Sequence, residues 1–453
     1  MSMNTLLKNA DGYALAFRAK DITTHEMRAA IAEWFDLYYQ QETSKQEDPC
    51  QKIPYTIVQK LTKAIFPEYE ATSENQYAEK LLYALKHTCQ SAMQMALIGG
   101  ECSLKPVPVA DGFRFAIIPR HNMLVFGRDP DGNITDVGTV EQTAQGNAYF
   151  TLLERRTVDA RGYLTIQYRL FRSYNKDSLG QEVPLNKVQQ YEELEPEYTF
   201  TQPICSTGLI GLYTPMFNCV DGSADHVSVY AAAVGLIHNI NSNEAQLCGE
   251  FDRGQSRVIV SADMLKEDAN GKKHLTDDLF AGLDEDPENT GITIFSPALR
   301  EASFLARKQE YLRNVENVIG LKRGLLSEVE AAERTATEIT SSAGEYNLTV
   351  IDFQQMWEKT VRETMRVCGI LGQLYKIPGA CEIPEDAVVI NWGNGVLYDE
   401  DKTWADYKEM VSSGLIRPEI ALGWRFNMPV ETPEDLAAIR AKYMPGADGL
   451  IEE

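Results

Sequence analysis

Residues 221–251 read DGSADHVSVYAAAVGLIHNINSNEAQLCGEF, a stretch with apolar side chains at helical spacing along two flanks. The flanks comprise Val227, Tyr230, Val234 and Ile237 on one side and Val229, Ala233, Leu236, Ile240, Leu247 and Phe251 on the other. A surface helix has a single apolar stripe. The pattern therefore predicts a long helix that is covered on two sides. Neighbouring copies of the chain or the interior of one subunit would explain the stripes equally well.

The residues that follow predict a small α/β segment and a second long helix. Strand-like runs occur at 257–260 and 291–295 with a polar insert between them, and a helix is predicted over 297–319. Two helices that lead out to a small domain and back form a stalk with a tip. The second helix carries basic residues in an acidic protein, which indicates either an ordinary solvated face or a locally basic surface. Those basic residues include Arg300, Arg307 and Lys308.

A short, Gly-bounded and charged segment, GLKRGLLSEVEAAER, occupies 320–334 and is predicted to be a loop. Its charged residues include Lys322, Arg323, Glu328, Glu330 and Glu333. Thr335 and Glu338 then have the spacing of a capping box, in which a hydroxyl and a carboxylate satisfy free N–H groups at a helix start. A long helix is therefore predicted from Thr335 to about residue 375.

The N-terminal half predicts helices followed by strands. Helical periodicity occurs over 24–41, 53–66 and 74–97, and glycines at 99 and 100 end the last of these helices. Val, Ile, Tyr, Phe and Thr dominate 102–198, where turn residues at hairpin spacing predict an antiparallel meander. The acidic part of this region, 189–197, is predicted to be a loop.

The C-terminal part predicts one strand and three helices. The strand is expected at 387–392, and the helices begin near Asp401, Pro418 and Thr432. Thr432 precedes Pro433 and two acidic residues, an order that suits a helix N-terminus. The chain as a whole is therefore predicted to be α+β.

The charge balance limits what the protein binds. The 453 residues include 66 acidic and 43 basic side chains, for a formal net charge of -23. Tight wrapping of nucleic acid needs many Lys and Arg, so the chain is not expected to wrap DNA, although it could line a path along which DNA slides. The alternative is that the charge only keeps the protein soluble. No run of about eighteen apolar residues occurs, so no membrane insertion is predicted.

The sequence offers no signature of a catalytic or metal site. It lacks the G-x-x-x-x-G-K-[ST], G-x-S-x-G and H-E-x-x-H motifs, and its eight cysteines and six histidines lack metal-ligand spacing. We therefore predict no enzymatic activity, no cofactor and no metal, and the scattered cysteines favour a reduced, intracellular setting. A soluble enzyme with an unrecognised carboxylate site remains an alternative.

The order of these segments resembles the portal proteins of long-tailed bacteriophages. Three local motifs support the resemblance: ALIGGE at 96–101 before IPRHN at 118–122, TATEI at 335–339, and GLIRP at 414–418. The resemblance implies a portal fold with N-terminal helices and an antiparallel β wing, two stem helices, a small α/β clip, a long capped helix and a helical crown. Its implied segments are wing 1–220, stem helices 221–251 and 297–319, clip 252–296, tunnel loop 320–334, long helix and wing return strand 335–396, and crown 397–453.

The resemblance also implies a function. Twelve subunits would form a ring at one capsid vertex of the virion, assembled in the host cytoplasm, through which double-stranded DNA is packaged and ejected. Implied partners are further copies of the chain, the terminase large subunit, a head-tail adaptor, and the major capsid and scaffolding proteins, with no membrane. A minor virion protein that lines no channel is a further alternative.

The same resemblance assigns roles to two sets of residues. The DNA-channel set comprises Lys322, Arg323, Glu328, Glu330, Glu333, Arg300, Arg307 and Lys308. The subunit-interface set comprises Val227, Tyr230, Val234, Leu236, Ile237 and Ile240.

Overall fold

The computed structural model shows two compact units. One unit consists of Met1–Ile65 and Thr72–Val389, and the other of Phe66–Ala71 and Ile390–Glu453. The residues that the structure describes are 3–40, 49–130, 132–254, 257–259, 266–267, 273–274, 293–295, 298–328, 336–393, 400–426, 428–430 and 432–444.

The first unit begins with four helices. They are α1 (Met3–Phe17), α2 (His25–Tyr39), α3 (Ile53–Ile65) and α4 (Gln76–Gly99). The last three agree with the predicted helices to within two residues, and the starts of α2 and α4 carry local capping signals. Thr24 accepts a hydrogen bond from the N–H of Met27 at 3.1 Å, and Asn75 accepts one from Tyr77 at 2.9 Å.

Antiparallel sheets follow α4, as the hairpin spacing predicts. The strands are β2 (Glu101–Val109), β3 (Gly112–Pro119), β4 (Met123–Arg128), β5 (Ile134–Gln145), β6 (Ala148–Val158), β7 (Leu164–Ser173), β8 (Gln181–Val183), β9 (Glu197–Thr199) and β10 (Ile210–Tyr213). A three-stranded sheet has the order β10-β2-β3, and a six-stranded sheet has the order β4-β5-β6-β7-β8 with β9 paired to β7. Val188 and Tyr191, at the acidic loop, are buried against this six-stranded sheet.

Helix α1, which the sequence pattern did not predict, packs on the six-stranded sheet through Tyr13. This tyrosine is fully buried, and its hydroxyl donates to the backbone carbonyls of Thr139 and Glu154. Gly138 lies beneath the ring, and a Cβ there would overlap the Tyr13 ring. The contact therefore depends on a glycine more than one hundred residues away in sequence.

Glu154 is a buried acidic residue of the same sheet. It forms ion pairs with Arg156 at 2.5 Å and with Lys105. Desolvation alone would raise its pKa, but the two cations and their hydrogen bonds lower the pKa of Glu154 to about 2. The folded state therefore favours the ionised carboxylate.

Glu154 should make the fold sensitive to acid. Its folded-state pKa lies below the ordinary value of 4.5, so the stabilisation is present above about pH 4.5 and is lost as the pH falls toward 2. We expect Glu154→Gln to cost about 2–3 kcal/mol at neutral pH, and this deficit should shrink toward about pH 3. Urea unfolding across this pH range measures the difference, with Glu192→Gln on the exposed surface as the control. A deficit that stays constant down to about pH 3 would contradict the ion-pair explanation.

The first predicted stem helix is shorter than expected. Helix α5 spans Val234–Arg253 and follows a short 3-10 turn at Ala231–Ala233, whereas the sequence predicts a helix over 221–251. The helical prediction is therefore wrong for 221–230. Four residues of the two apolar stripes, at 227, 229, 230 and 233, lie before α5 rather than on it.

Local hydrogen bonds explain the late start of α5. The side-chain oxygen of Asn218 accepts from the N–H groups of Val220 at 2.9 Å and Asp221 at 3.2 Å. Asp221 in turn accepts from the N–H of Ser223 at 3.0 Å. Such short polar side chains offer the backbone an alternative to the helix.

Helix α6 (Glu301–Ile319) agrees with the second predicted stem helix except for its first residues. Four short strands are described in the predicted clip region. They are β11 (Arg257–Ile259), β12 (Lys266–Glu267), β13 (Lys273–His274) and β14 (Thr293–Phe295), with β11 paired to β14 and β12 to β13.

The long helix α7 spans Ala336–Leu374 and buries the predicted apolar face. Its residues Phe353, Trp357, Val361 and Met365 are all buried. The predicted cap residue at 335 lies outside the described residues. Strand β15 (Val388–Asn391) follows and pairs with β1 (Glu70–Ser73), near the predicted return strand.

The second unit contains three further helices, α8 (Glu400–Ser412), α9 (Pro418–Arg425) and α10 (Pro433–Tyr443). Their starts agree with the predictions. Thr432 and Asp435 form the reciprocal hydrogen bonds of a capping box at α10. Trp424 packs against Tyr407, with their ring centroids 5.1 Å apart.

Candidate nucleic-acid interface

The two predicted stem helices, α5 and α6, run antiparallel and are joined by ion pairs. Arg300 contacts Glu250 at 2.7 Å, and Lys308 contacts Glu244 at 2.8 Å. Hydrogen bonds from Arg300 hold the pKa of Glu250 below its ordinary value. Exposed ion pairs contribute little stability on their own. These contacts nevertheless direct Arg300 and Lys308, both members of the DNA-channel set, toward carboxylates of the same chain.

A buried amide also joins the two helices. Asn243 on α5 is almost completely buried, and its side-chain amide donates to the backbone carbonyl of Phe304 on α6 at 3.1 Å. A buried donor without an acceptor is costly, so this bond favours one relative position of the helices.

The third basic residue predicted from α6, Arg307, is exposed and lies beside an aromatic ring. Its guanidinium donates to the hydroxyl of Tyr311 at 2.9 Å, and its central carbon is 5.3 Å from the ring centroid. This cation–π contact fixes the direction of the side chain along the helix. Arg307 differs from Arg300 and Lys308 because it faces solvent and has no carboxylate partner among its described contacts.

Four members of the subunit-interface set are buried within the single chain. Val227, Tyr230, Ile237 and Ile240 are each at most 1% exposed within a single chain, so their side chains are not available to a neighbouring copy. Tyr230, for example, donates to the carbonyl of Trp34 at 2.8 Å. For these four residues, the interior of one subunit provides the cover that the apolar stripes require.

The apolar residues that α5 and α6 expose differ from those of the predicted subunit-interface set. Val234 and Leu236 are half-buried, whereas Leu305 and Val318 on α6 are about half exposed. Leu305 and Val318 were not predicted as interface residues, because their spacing does not form a regular apolar stripe.

The predicted loop begins where α6 ends at Ile319. Gly320 adopts a left-handed conformation with φ of 77°, and its N–H and that of Leu321 cap carbonyls of the last helical turn. A tight turn follows, in which Leu325 donates to the carbonyl of Lys322 at 3.1 Å. The loop is therefore an ordered continuation of the helix over its described residues.

Glu316 holds this loop from within. Its side chain is fully buried, and one carboxylate oxygen accepts from the backbone N–H groups of Gly324 at 3.1 Å, Leu326 at 2.5 Å and Ser327 at 2.9 Å. The other oxygen accepts from the Ser327 hydroxyl at 2.7 Å. The sequence pattern did not predict this role of Glu316. The available signal was its position among the apolar residues Leu312, Val315 and Ile319, all of which are buried.

Residues elsewhere in the chain also bind the loop. The Lys60 ammonium donates to the carbonyl of Leu325, and the Glu328 N–H donates to the side chain of Gln309 at 2.8 Å. The loop thus has contacts with both α3 and α6.

The structure brings three members of the DNA-channel set together on this anchored loop. Lys322, Arg323 and Glu328 are all exposed. Glu330 and Glu333 lie outside the described residues. The described part of the loop therefore presents two adjacent cations to solvent on a fixed backbone.

The described ranges contain no group of three or more His, Cys, Asp or Glu side chains that could hold a metal ion. Among the same residues, no helix combines the length and apolar character needed to cross a bilayer.

Comparison with known proteins identifies the family. The chain belongs to the phage portal protein family, because the model described as phage portal protein, SPP1 Gp6-like, matches residues 83–442, most of the chain. This is a structural family whose members form rings in the virion at the connection of head and tail. The protein therefore has a portal role.

A solved structure described as the neck of a native GTA particle computed with C12 symmetry gives a TM-score of 0.43 at 11% sequence identity. That match covers 89% of this chain and 94% of the other chain. No curated protein matches the sequence.

Proposed function

We propose that twelve copies of the chain form the ring at one capsid vertex, and that double-stranded DNA passes through this ring during packaging and ejection. The observation that carries the proposal is the anchored loop with Lys322 and Arg323 on its exposed side. These are two cations in a chain of net charge -23. A few positive charges in a protein of net negative charge allow brief phosphate contacts without tight DNA binding.

The stem helices would pack side by side around the channel. A ring requires a head-to-tail contact between two different surfaces of the subunit. The exposed apolar residues Leu305 and Val318 on one helix and the half-buried Val234 and Leu236 on the other are the surfaces that we propose for it.

The other segments would bind assembly partners. We propose that residues 1–220 with 335–396 form the wing, that 252–296 form the clip, and that 397–453 form the crown. The clip would bind the terminase large subunit during packaging and the head-tail adaptor afterwards. The wing would contact scaffolding and major capsid proteins as the head assembles in the host cytoplasm. The terminase would supply the work of translocation, since this chain lacks the phosphate-binding motif of an ATPase.

Removing both loop cations should impair DNA movement without affecting the ring. We expect Lys322→Ala with Arg323→Ala to lower the DNA packaged per head by about fivefold or more, the factor that about 1 kcal/mol of lost phosphate contact produces. In vitro packaging measures the DNA, and negative-stain images count the rings.

A matched control removes the same charge elsewhere. Arg161 and Lys187 are both exposed on connections of the six-stranded sheet, so Arg161→Ala with Lys187→Ala should package like the unmodified chain. Equal packaging by both double variants would show that the loop does not act on DNA.

A further inference from the structure

The carboxylate of Glu316 occupies a site built by the backbone of the loop. Three N–H groups, from residues 324, 326 and 327, converge on one of its oxygens, and the hydroxyl of Ser327 donates to the other. Backbone N–H groups that point at one atom form an anion site, and a charged acceptor makes each hydrogen bond stronger. Glu316 is thus an internal ligand that the loop folds around.

We propose that Glu316 is the positioning residue of this loop, and that it sets where Lys322 and Arg323 meet a DNA phosphate. This inference rests on the proposed function of the loop. Glu316 does not contact DNA, because its side chain is fully buried. It acts by fixing the backbone immediately after the two cations, so that both move with α6 as one body.

The other contacts of the loop are consistent with this role. The Lys322 carbonyl accepts from Leu325 at 3.1 Å, which closes the turn that carries the cations. Lys60 and Gln309 hold the loop at residues 325 and 328. None of these groups satisfies the three converging N–H donors, which would be buried without an acceptor if Glu316 were absent.

Three variants separate the contributions of the carboxylate. Glu316→Leu removes every acceptor. Glu316→Gln keeps one oxygen for the N–H groups and places an amide beside the Ser327 hydroxyl, but removes the charge. Ser327→Ala removes only the hydrogen bond to the second oxygen. Glu310→Leu is the matched control, because Glu310 is an exposed carboxylate on the same helix.

Trypsin provides a readout that does not depend on DNA, since it cleaves after Lys322 and Arg323. An ordered turn resists cleavage until it opens locally. We expect the Glu316→Leu ring to be cleaved there about tenfold faster or more, with smaller increases for Glu316→Gln and Ser327→Ala. Cleavage of all three at the rate of Glu310→Leu would overturn the proposal. If Glu316→Leu fails to fold, the two milder variants still decide the outcome.

Packaging then distinguishes positioning from general support of the fold. If Glu316 acts through the two cations, adding Glu316→Gln to the Lys322→Ala, Arg323→Ala variant should reduce packaging no further, whereas a separate structural defect would add to the loss. Full packaging by Glu316→Gln and Glu316→Leu, with the cation variant impaired, would overturn the positioning role alone. Normal packaging by the cation variant would instead overturn the proposed function of the loop. In that case, faster cleavage of Glu316→Leu would still show that Glu316 anchors the loop backbone.

Discussion

Arg120→Met is expected to destabilise the folded subunit by about 4 kcal/mol, a value typical of breaking a buried ion pair. Arg120 is 1% exposed and lies 2.7 Å from Glu101 and 3.4 Å from Asp225. It also donates to the carbonyl of Met123 at 3.0 Å. Asp225 would keep its ion pair with Arg128 in the variant, whereas Glu101, equally buried, would lose its cation. The midpoint of urea unfolding measures the loss.

A second change should restore much of this stability. Glu101→Leu combined with Arg120→Met replaces both charges by apolar side chains, which removes the uncompensated carboxylate. We expect the double variant to recover at least about half of the lost free energy. A single Arg120→Met variant that unfolds at the same urea concentration as the unmodified chain would rule out an energetic role for this ion pair.

Gly100→Ala should cost about 3 kcal/mol or more, from backbone strain and a steric clash together. Gly100 ends α4 with φ of 83°, a conformation that L side chains rarely adopt. A Cβ there would lie 2.7 Å from the carbonyl carbon of Val227 and would also strike the backbone of His226. The clash would displace the segment that precedes α5, whose Val227 and Tyr230 are buried. Thermal unfolding and ring formation both measure the effect.

Gly112→Ala is the control for this prediction. Gly112 begins β3, and a Cβ there would meet no atom within 4 Å. We expect this variant to unfold within about 0.5 kcal/mol of the unmodified chain. Equal stability of the two alanine variants would show that α4 and the following segment adjust without cost.

Local rules were sufficient for much of the fold. The starts of α2, α4 and α10 follow from capping residues that act within three positions of themselves. The hairpins of the six-stranded sheet follow from alternation and turn residues in the same way. The family resemblance rested on similar short motifs, and the first of them, ALIGGE before IPRHN, contains both Glu101 and Arg120. Their sequences gave no indication that these residues form an ion pair, because that contact depends on the packed core.

Other features required knowledge of distant partners. Helix α1 is stabilised by the contact of Tyr13 with Gly138, which the apolar periodicity within α1 does not indicate. The stripe before α5 has helical spacing, but hydrogen bonds from Asn218 and Asp221 override it. The anchoring of the loop was missed for the same reason. Glu316 has its donors eight to eleven residues further along the chain, and only the folded turn brings them together.

The hydrogen bond of the Asn243 amide limits how α5 and α6 can move relative to each other. A slide of α6 along α5 by one helical turn, about 5.4 Å, would break its bond to the Phe304 carbonyl and separate both interhelical ion pairs at once. Tilting the helix pair as a unit breaks none of them. Sliding of α6 along α5 is therefore expected to cost more free energy than movement of the two helices as a unit.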